Sequence, residues 1–214
     1  SSGSLSSSPG SSSWSNCTVP RKSTRQLWAD KLSGKNVSQT SDAAISLQKK
    51  PFRGIVLGID PSLRGTGLAL LQFIPGEKAK LLHSHTLKLK RNLTQADCLG
   101  EIGRTIINTV ESSIVRHVAI EETIYVQNFQ TAQAMGASRG AAIAAAAMRD
   151  IPIFEYAPLR IKQAVVGFGR ASKEQVAKTV RVFLANQELL NFDEADAAAA
   201  ALCHAMTWRD PNAI

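Results

Sequence analysis

GIVLGID (residues 54–60) is an uninterrupted apolar run that ends on an aspartate. A strand that is apolar on both faces belongs in the middle of a sheet with helices on each side. An acid at its carboxyl end stands where open α/β sheets bind their ligands. Working outward, TGLALLQFI (66–74) and KAKLLHSHTLKL (78–89) read as the next two strands, with turns at 63–65 (Leu-Arg-Gly) and at Pro75–Gly76. A helix is expected from Thr94 to Ser113. VAIEE (118–122) is a second buried strand ending in carboxylates. A long helix is expected over 128–149 and a short strand at IPIFEY (151–156). Pro158 opens the next helix, and Ser172 caps another with Glu174 in its first turn. The last helix is expected from Asp193 to Trp208. Consecutive strands followed by alternating helices and strands define an α/β fold with a mixed sheet.

Toward the N-terminus the texture changes. Residues 1–20 are rich in Ser with Gly and Pro, a composition that does not form a core. In RKSTRQLWADKLSGK (21–35), Leu27, Trp28, Lys31 and Leu32 share one side of a short helix that Gly34 would stop. Three readings fit this stretch: a helix docked on the domain, a basic arm touching DNA phosphates, or a transit peptide for organelle import. The expected organisation is a Ser-rich, basic, largely disordered tail at 1–50 and one folded domain at 51–214.

The chain holds 25 Lys and Arg against 17 Asp and Glu, which favours an anionic partner, nucleic acid first. Residues 1–50 contribute seven basic and two acidic side chains, so the folded part is only mildly basic. Cys17, Cys98 and Cys203 are odd in number and lack CxxC spacing, which argues against a disulfide framework or zinc site. No apolar run approaches the ~20 residues of a membrane span, so the chain reads as soluble, with a bacterial cytoplasmic, nucleoid-associated setting as the expectation.

The acids carry the chemistry. Asp60 and Glu121 each end an apolar strand, while Asp193 and Asp196 open the last helix at a spacing that puts both on one face. Alone, each is an ordinary turn, cap or helix-start residue. Together they would crowd several negative charges at one spot, a cluster that costs energy unless cations neutralise it. With no His or Cys at ligand spacing, an all-oxygen site of this kind suits Mg²⁺ or Mn²⁺.

Four stretches resemble one family in order and spacing: GIDPSLRGTGLALL, AIEETIYVQNFQTAQAMGASRGAAIAAAA, FEYAPLRIKQAVVGFGRASKEQV and FDEADAAAAALCHA. They are similar to the acidic strands, basic stretch and closing acidic helix of the RuvC family of Holliday-junction resolvases, and the likeness runs over 53–208. The resemblance implies an RNase H-like fold with a five-stranded mixed sheet. It implies a metal-dependent endodeoxyribonuclease that makes paired cuts in four-way junction DNA during recombination and repair. Asp60, Glu121, Asp193 and Asp196 match the family's metal-binding carboxylates, expected to hold two Mg²⁺ per subunit with Mn²⁺ as a substitute. Lys162 and Lys173 match its DNA-handling lysines. The family often has an aromatic residue three positions after the catalytic Glu, where this chain has Ile124; Tyr125 and Phe129 stand nearby as DNA-binding substitutes.

The resemblance also implies a homodimer, with a branch-migration motor complex as a further partner. The small residues of the 132–147 helix, Gly136, Gly140 and the alanines, suit either burial against the sheet or a dimer contact. Two rival readings are a catalytically silent DNA-binding relative and an actin or sugar-kinase type ATP-binding protein, suggested by GID before a Gly-containing turn. The latter needs a second nucleotide-binding domain, for which this chain is too short.

Overall fold

The structure is a computed structural model that describes residues 51–123, 128–185 and 190–210. The tail at 1–50, with its helix at 21–35, and Tyr125 lie outside the described residues. The first strands are β1 (Gly54–Asp60), β2 (Gly65–Phe73) and β3 (Lys80–Lys88), followed by helix α1 (Gln95–Glu111). Then come β4 (Val115–Glu121), α2 (Phe129–Ala147), β5 (Ile153–Tyr156), α3 (Pro158–Val166), α4 (Lys173–Phe183) and α5 (Phe192–Thr207). The sheet order is β3-β2-β1-β4-β5. β1 pairs antiparallel with β2, and parallel with β4, so the GIVLGID strand is central, as its apolar run requires. β5 adds parallel to β4 with Tyr156 in register with Glu121.

Local signals explain where the elements start and turn. Gly76 has a φ of 85°, and Glu77 N–H donates to the Ile74 carbonyl at 3.1 Å, a tight turn in which Gly takes the left-handed position. Thr94 and Ser172 cap α1 and α4, each with a reciprocal bond from its own backbone N–H to the side chain three residues on. β4 begins at Val115, before the apolar run, because Ile55 pairs with Val115 and Val56 with His117.

Strand alternation divides the core in two. Leu57, Ile59, Leu68, Leu70, Val118 and Ile120 face α1 and α2. Their partners include Ile102 and Ile106 of α1 and Ala142, Ala145 and Ala146 of α2. Val56, Ala69, Leu71, Ala119 and Tyr156 face α5, with α3 and α4 packed around it. The α5 side is built for close approach. A Cβ on Gly58 would lie 1.9 Å from the Ala197 carbonyl oxygen, and one on Gly67 would lie 2.1 Å from that of Asp193. Only glycine fits where a helix backbone comes down onto a strand in this way. The buried alanines Ala195 and Ala197–Ala201 give α5 a matching low profile.

At the far end of α5 a polar chain is buried. His117 Nδ1 and His204 Nε2 share a hydrogen bond of 2.8 Å, and Tyr156 Oη and His204 Nδ1 share one of 2.7 Å. Phe52, Phe154 and Trp208 surround it with ring contacts. Burial pushes the His117 imidazole down to about 4, helped by Arg116, and that of His204 down to about 3, helped by His117. Both rings are therefore neutral structural parts.

Candidate active site

Asp60 is the last residue of β1 and Glu121 the last of β4, adjacent parallel strands that end at the same edge. Asp60 follows Val56 and Gly58 by the period of two, so its side chain belongs to the α5 face. The first turn of α5 supplies Asp193 and Asp196. All four line one cleft of about 530 Å³, together with Lys162 and Lys173.

Why Asp193 and Asp196 face this cleft, and Glu194 does not, follows from how α5 begins. The Asn191 side chain caps the helix by accepting from Glu194 N–H at 3.0 Å. Glu194 turns the other way: its carboxylate accepts from Ser84 Oγ at 3.2 Å and from Asn191 Nδ2 at 2.8 Å. Thr86 Oγ1 donates to Asn191 Oδ1 at 3.0 Å. The helix start is thus tied to β3 on one side, and the Gly67 contact seats it on β2. Glu122 is exposed outside the cleft lining.

The electrostatics carry the mark of crowded acids. Burial, then Asp196 and Asp193, raises the Asp60 carboxyl to about 6, against the pull of Lys173. Burial, then Asp60 and Asp196, raises Glu121 to about 7. Asp196 is raised by burial even though Lys173 Nζ lies 3.2 Å from its Oδ2. Lys173 is in turn held protonated by Asp196. One ammonium therefore does not neutralise the cluster, and the two strand-end acids are left short of positive charge.

Hard divalent cations fit this donor set, which is all oxygen. As the side chains stand, no three His, Cys, Asp or Glu residues among those described are posed to hold a metal ion. The helices add a second feature. Thr131 of α2, Pro158 of α3, Lys173 of α4 and Asp193 of α5 all line the cleft from the first turns of their helices. Helix N-termini favour anions such as phosphate.

The structure therefore brings together Asp60, Glu121, Asp193, Asp196, Lys162 and Lys173. Phe129 is exposed at the first position of α2, two residues before Thr131, and is not part of the lining. Sequence reading missed Ser62, Thr131 and Met135 as lining residues. Their only signal was adjacency: Ser62 follows Asp60 by two, and Thr131 lies in the first turn of the helix that follows β4 in sequence.

Comparison with known proteins identifies the family. The family model for crossover junction endodeoxyribonuclease RuvC matches residues 56–204. A crossover junction endodeoxyribonuclease RuvC from Halorhodospira halophila is 41% identical over 150 residues, covering 70% of this chain and 89% of its own length. Another, from Pelotomaculum thermopropionicum, is 35% identical and covers 72% of this chain and 95% of its own length. The solved structure of T. thermophilus RuvC in complex with Holliday junction substrate matches with a TM-score of 0.68 at 32% identity, covering 72% of this chain and 94% of that one. The five-stranded mixed sheet with its flanking helices is thus the RNase H-like resolvase fold. By family model, by relatives along most of their length and by fold, this chain belongs to the RuvC family of crossover junction endodeoxyribonucleases.

Proposed function

We propose that the protein resolves Holliday junctions by paired, Mg²⁺-dependent cuts, with Asp60, Glu121, Asp193 and Asp196 as the metal-holding carboxylates. The observation that carries this reading is the single cleft where three elements bring four acids together, with Asp60 and Glu121 raised by burial and by their carboxylate neighbours. The junction in the T. thermophilus relative's structure supports four-way DNA as the substrate.

Two Mg²⁺ per subunit suit the four acids, with Mn²⁺ as a substitute; when bound, they supply Lewis-acid polarisation of the scissile phosphate and activation of a water. The chain's own residues do the rest. Lys162 and Lys173, which line the cleft, hold phosphate oxygens and offset the negative charge that grows on the phosphoryl and leaving oxygens. The α2, α3 and α4 N-termini add fixed positive dipoles around the same phosphate. The tight seating of α5 on Gly58 and Gly67 fixes the backbone that carries Asp193 and Asp196, so the carboxylates would gather around a cation by side-chain rotation rather than by helix movement.

A homodimer completes the reading, since paired cuts need two sites related by a twofold axis. Helix α2 buries Ser138, Ala142, Ala145 and Ala146 on its inner side. Gly136 and Gly140 lie outside that buried set, and a Cβ at either would meet nothing within 4 Å. That open stripe of small residues is the expected contact between protomers.

The decisive experiment is incubation with a synthetic four-way junction with and without Mg²⁺. Paired nicks that require the metal, and vanish in Asp60→Asn while junction binding persists, support the assignment. Binding without cutting would instead identify a catalytically silent relative.

A further inference from the structure

The chain has seven phenylalanines, and the structure divides them into two groups. Phe52, Phe73, Phe154 and Phe183 pack in the core on the α5 side. The other three are exposed: Phe129 at 73%, Phe168 at 48% and Phe192 at 48%. A single exposed apolar residue needs no explanation. Here each of these three phenylalanines stands, in sequence, between or beside residues that line the cleft. Phe192 immediately precedes Asp193, and Phe168 lies on the short link between α3 and α4, five residues before Lys173 and six after Lys162.

Two glycines shape that link. Gly167 closes α3 in the left-handed conformation, with φ 93°. Gly169 rests against Leu159, where a Cβ would be 2.8 Å from Leu159 Cγ. Leu159 is the neighbour of the cleft-lining Pro158 and is itself 63% exposed. The link therefore lies against the first turn of α3, whose Pro158 lines the cleft. Fixed aromatic faces beside cationic side chains are what single-stranded nucleic acid binds: phosphates follow the charge and bases stack on the rings. Neither Phe168 nor Phe192 has a part in the metal chemistry above.

We propose that Phe168 and Phe192 are stacking contacts for unpaired nucleotides flanking the phosphate in the cleft. This rests on the reading of the cleft as a DNA-cutting site and adds what it selects: strand positions whose bases are free of their partners. Duplex DNA, whose bases stack on each other, gives the rings nothing to bind, so the preference for unpaired positions comes from the rings rather than from the carboxylates.

The test uses the full-length protein in EDTA, which withholds the metal, with fluorescence anisotropy on a short oligo(dT) strand and on a duplex. Phe168→Ala and Phe192→Ala should each weaken oligo(dT) binding by about tenfold and leave duplex binding unchanged. Phe168→Trp should restore it, and thermal midpoints should stay at the wild-type value because both rings are exposed. A 2-aminopurine next to the cut position of a junction should be quenched by wild type and less so by the alanine variants. No loss on oligo(dT), or an equal loss on duplex, overturns the proposal. The underlying reading is judged separately by junction cutting in Mg²⁺. A wild-type protein that cuts while the ring variants bind oligo(dT) normally sinks only the stacking role. Ring-dependent oligo(dT) binding by a protein that never cuts sinks only the nuclease reading.

Discussion

Lys173 Nζ lies 3.2 Å from Asp196 Oδ2, an ion pair between a largely exposed lysine and a largely buried aspartate. The lysine also lowers the carboxyls of Asp60 and Glu121 against the effects that raise them. Removing its charge leaves the cluster with less compensation, and takes a cation from the phosphate's surroundings.

Lys173→Gln should therefore move the acid limb of the pH–rate profile for junction cutting to higher pH. The maximal rate should also fall, by a factor on the order of 10² if the lysine offsets charge in the transition state. Steady-state cutting measured across pH checks both. A lower rate with an unmoved profile would leave Lys173 as a phosphate contact with no hold on the acids.

The raised acids make a stability prediction with a definite sign. Asp60 titrates at about 6 and Glu121 at about 7, against ordinary values of 3.8 and 4.5. The folded chain thus holds these protons more tightly than the unfolded one. Their contribution is fully present below the ordinary values and is lost as pH rises through 6 and 7. At about 1.4 kcal/mol per pH unit, the loss is a few kcal/mol. In EDTA, Asp60→Asn should melt higher than wild type at about pH 8 and lose that advantage at about pH 4. Mg²⁺ should raise the wild-type midpoint more than that of the variant. A variant less stable than wild type at pH 8 would contradict the crowding argument.

The buried histidines predict the opposite trend. Their folded values, about 4 for His117 and about 3 for His204, lie below the ordinary 6.5. The stability held by neutral rings is present above 6.5 and is lost as pH falls toward 4 and 3. His117→Phe removes one titrating ring and the 2.8 Å bond to His204. It should cost about 1–3 kcal/mol at neutral pH, because His204 Nε2 loses its partner. It should also flatten the decline on acidification. Since the carboxylates act in the other direction over part of this range, the difference between variant and wild type in urea midpoints is the quantity to follow. An unchanged difference from pH 7 to pH 5 would mean that His117 accepts its proton without strain.

Much of this was legible in the sequence, for reasons that can be named. The unbroken apolar run of β1 is what a buried central strand requires, and Asp60 at its end followed. The i, i+3 spacing alone puts Asp193 and Asp196 on one side of a helix. Other features were hidden because they depend on distant pairings. His117 and His204 are 87 residues apart and meet only when α5 lies across β4. The first residues of β4 alternate with Arg116 and so fall outside the apolar run. Nothing local says that Glu194 turns to Ser84 and Thr86 while its neighbours turn to the cleft. Gly58 and Gly67 read as ordinary strand glycines until a helix carbonyl stands where each Cβ would be.

The open stripe on α2 gives a clean test of assembly. A Cβ at Gly140 meets nothing within 4 Å in the single chain, so a larger side chain there leaves the protomer's own packing intact. In a dimer that uses this face it would overpack the contact, at a cost of about 1–3 kcal/mol. Gly140→Leu should shift the protein toward monomer in light scattering, keep its secondary structure, and lose paired cutting more than single nicking. Wild-type protein that is monomeric even on junction DNA would remove this face from consideration.

The seating of α5 gives the sharpest structural prediction. In the folded protein a Cβ on Gly67 would lie 2.1 Å from the Asp193 carbonyl oxygen and 2.5 Å from its carbonyl carbon. Those are backbone atoms, so no side-chain rotation relieves the contact, and Gly67→Ala must push the first turn of α5 off β2. Asn191 and Glu194 resist through Thr86 and Ser84, so the helix start tilts rather than slides. Asp193 and Asp196 would then move relative to Asp60, and displacement of about 1 Å at such a site costs about a hundredfold in rate. Cutting should fall by that order or more, and the thermal midpoint should fall as well, since overpacking costs about 1–3 kcal/mol. Gly76→Ala is the control: its Cβ meets nothing within 4 Å, and although its φ of 85° makes the change strained, the turn lies far along β2 from the cleft. It should lower stability while sparing the cutting rate of the folded fraction. Equal loss of rate in both variants would show that activity tracks stability alone, and that the close approach of α5 does not set the position of its carboxylates.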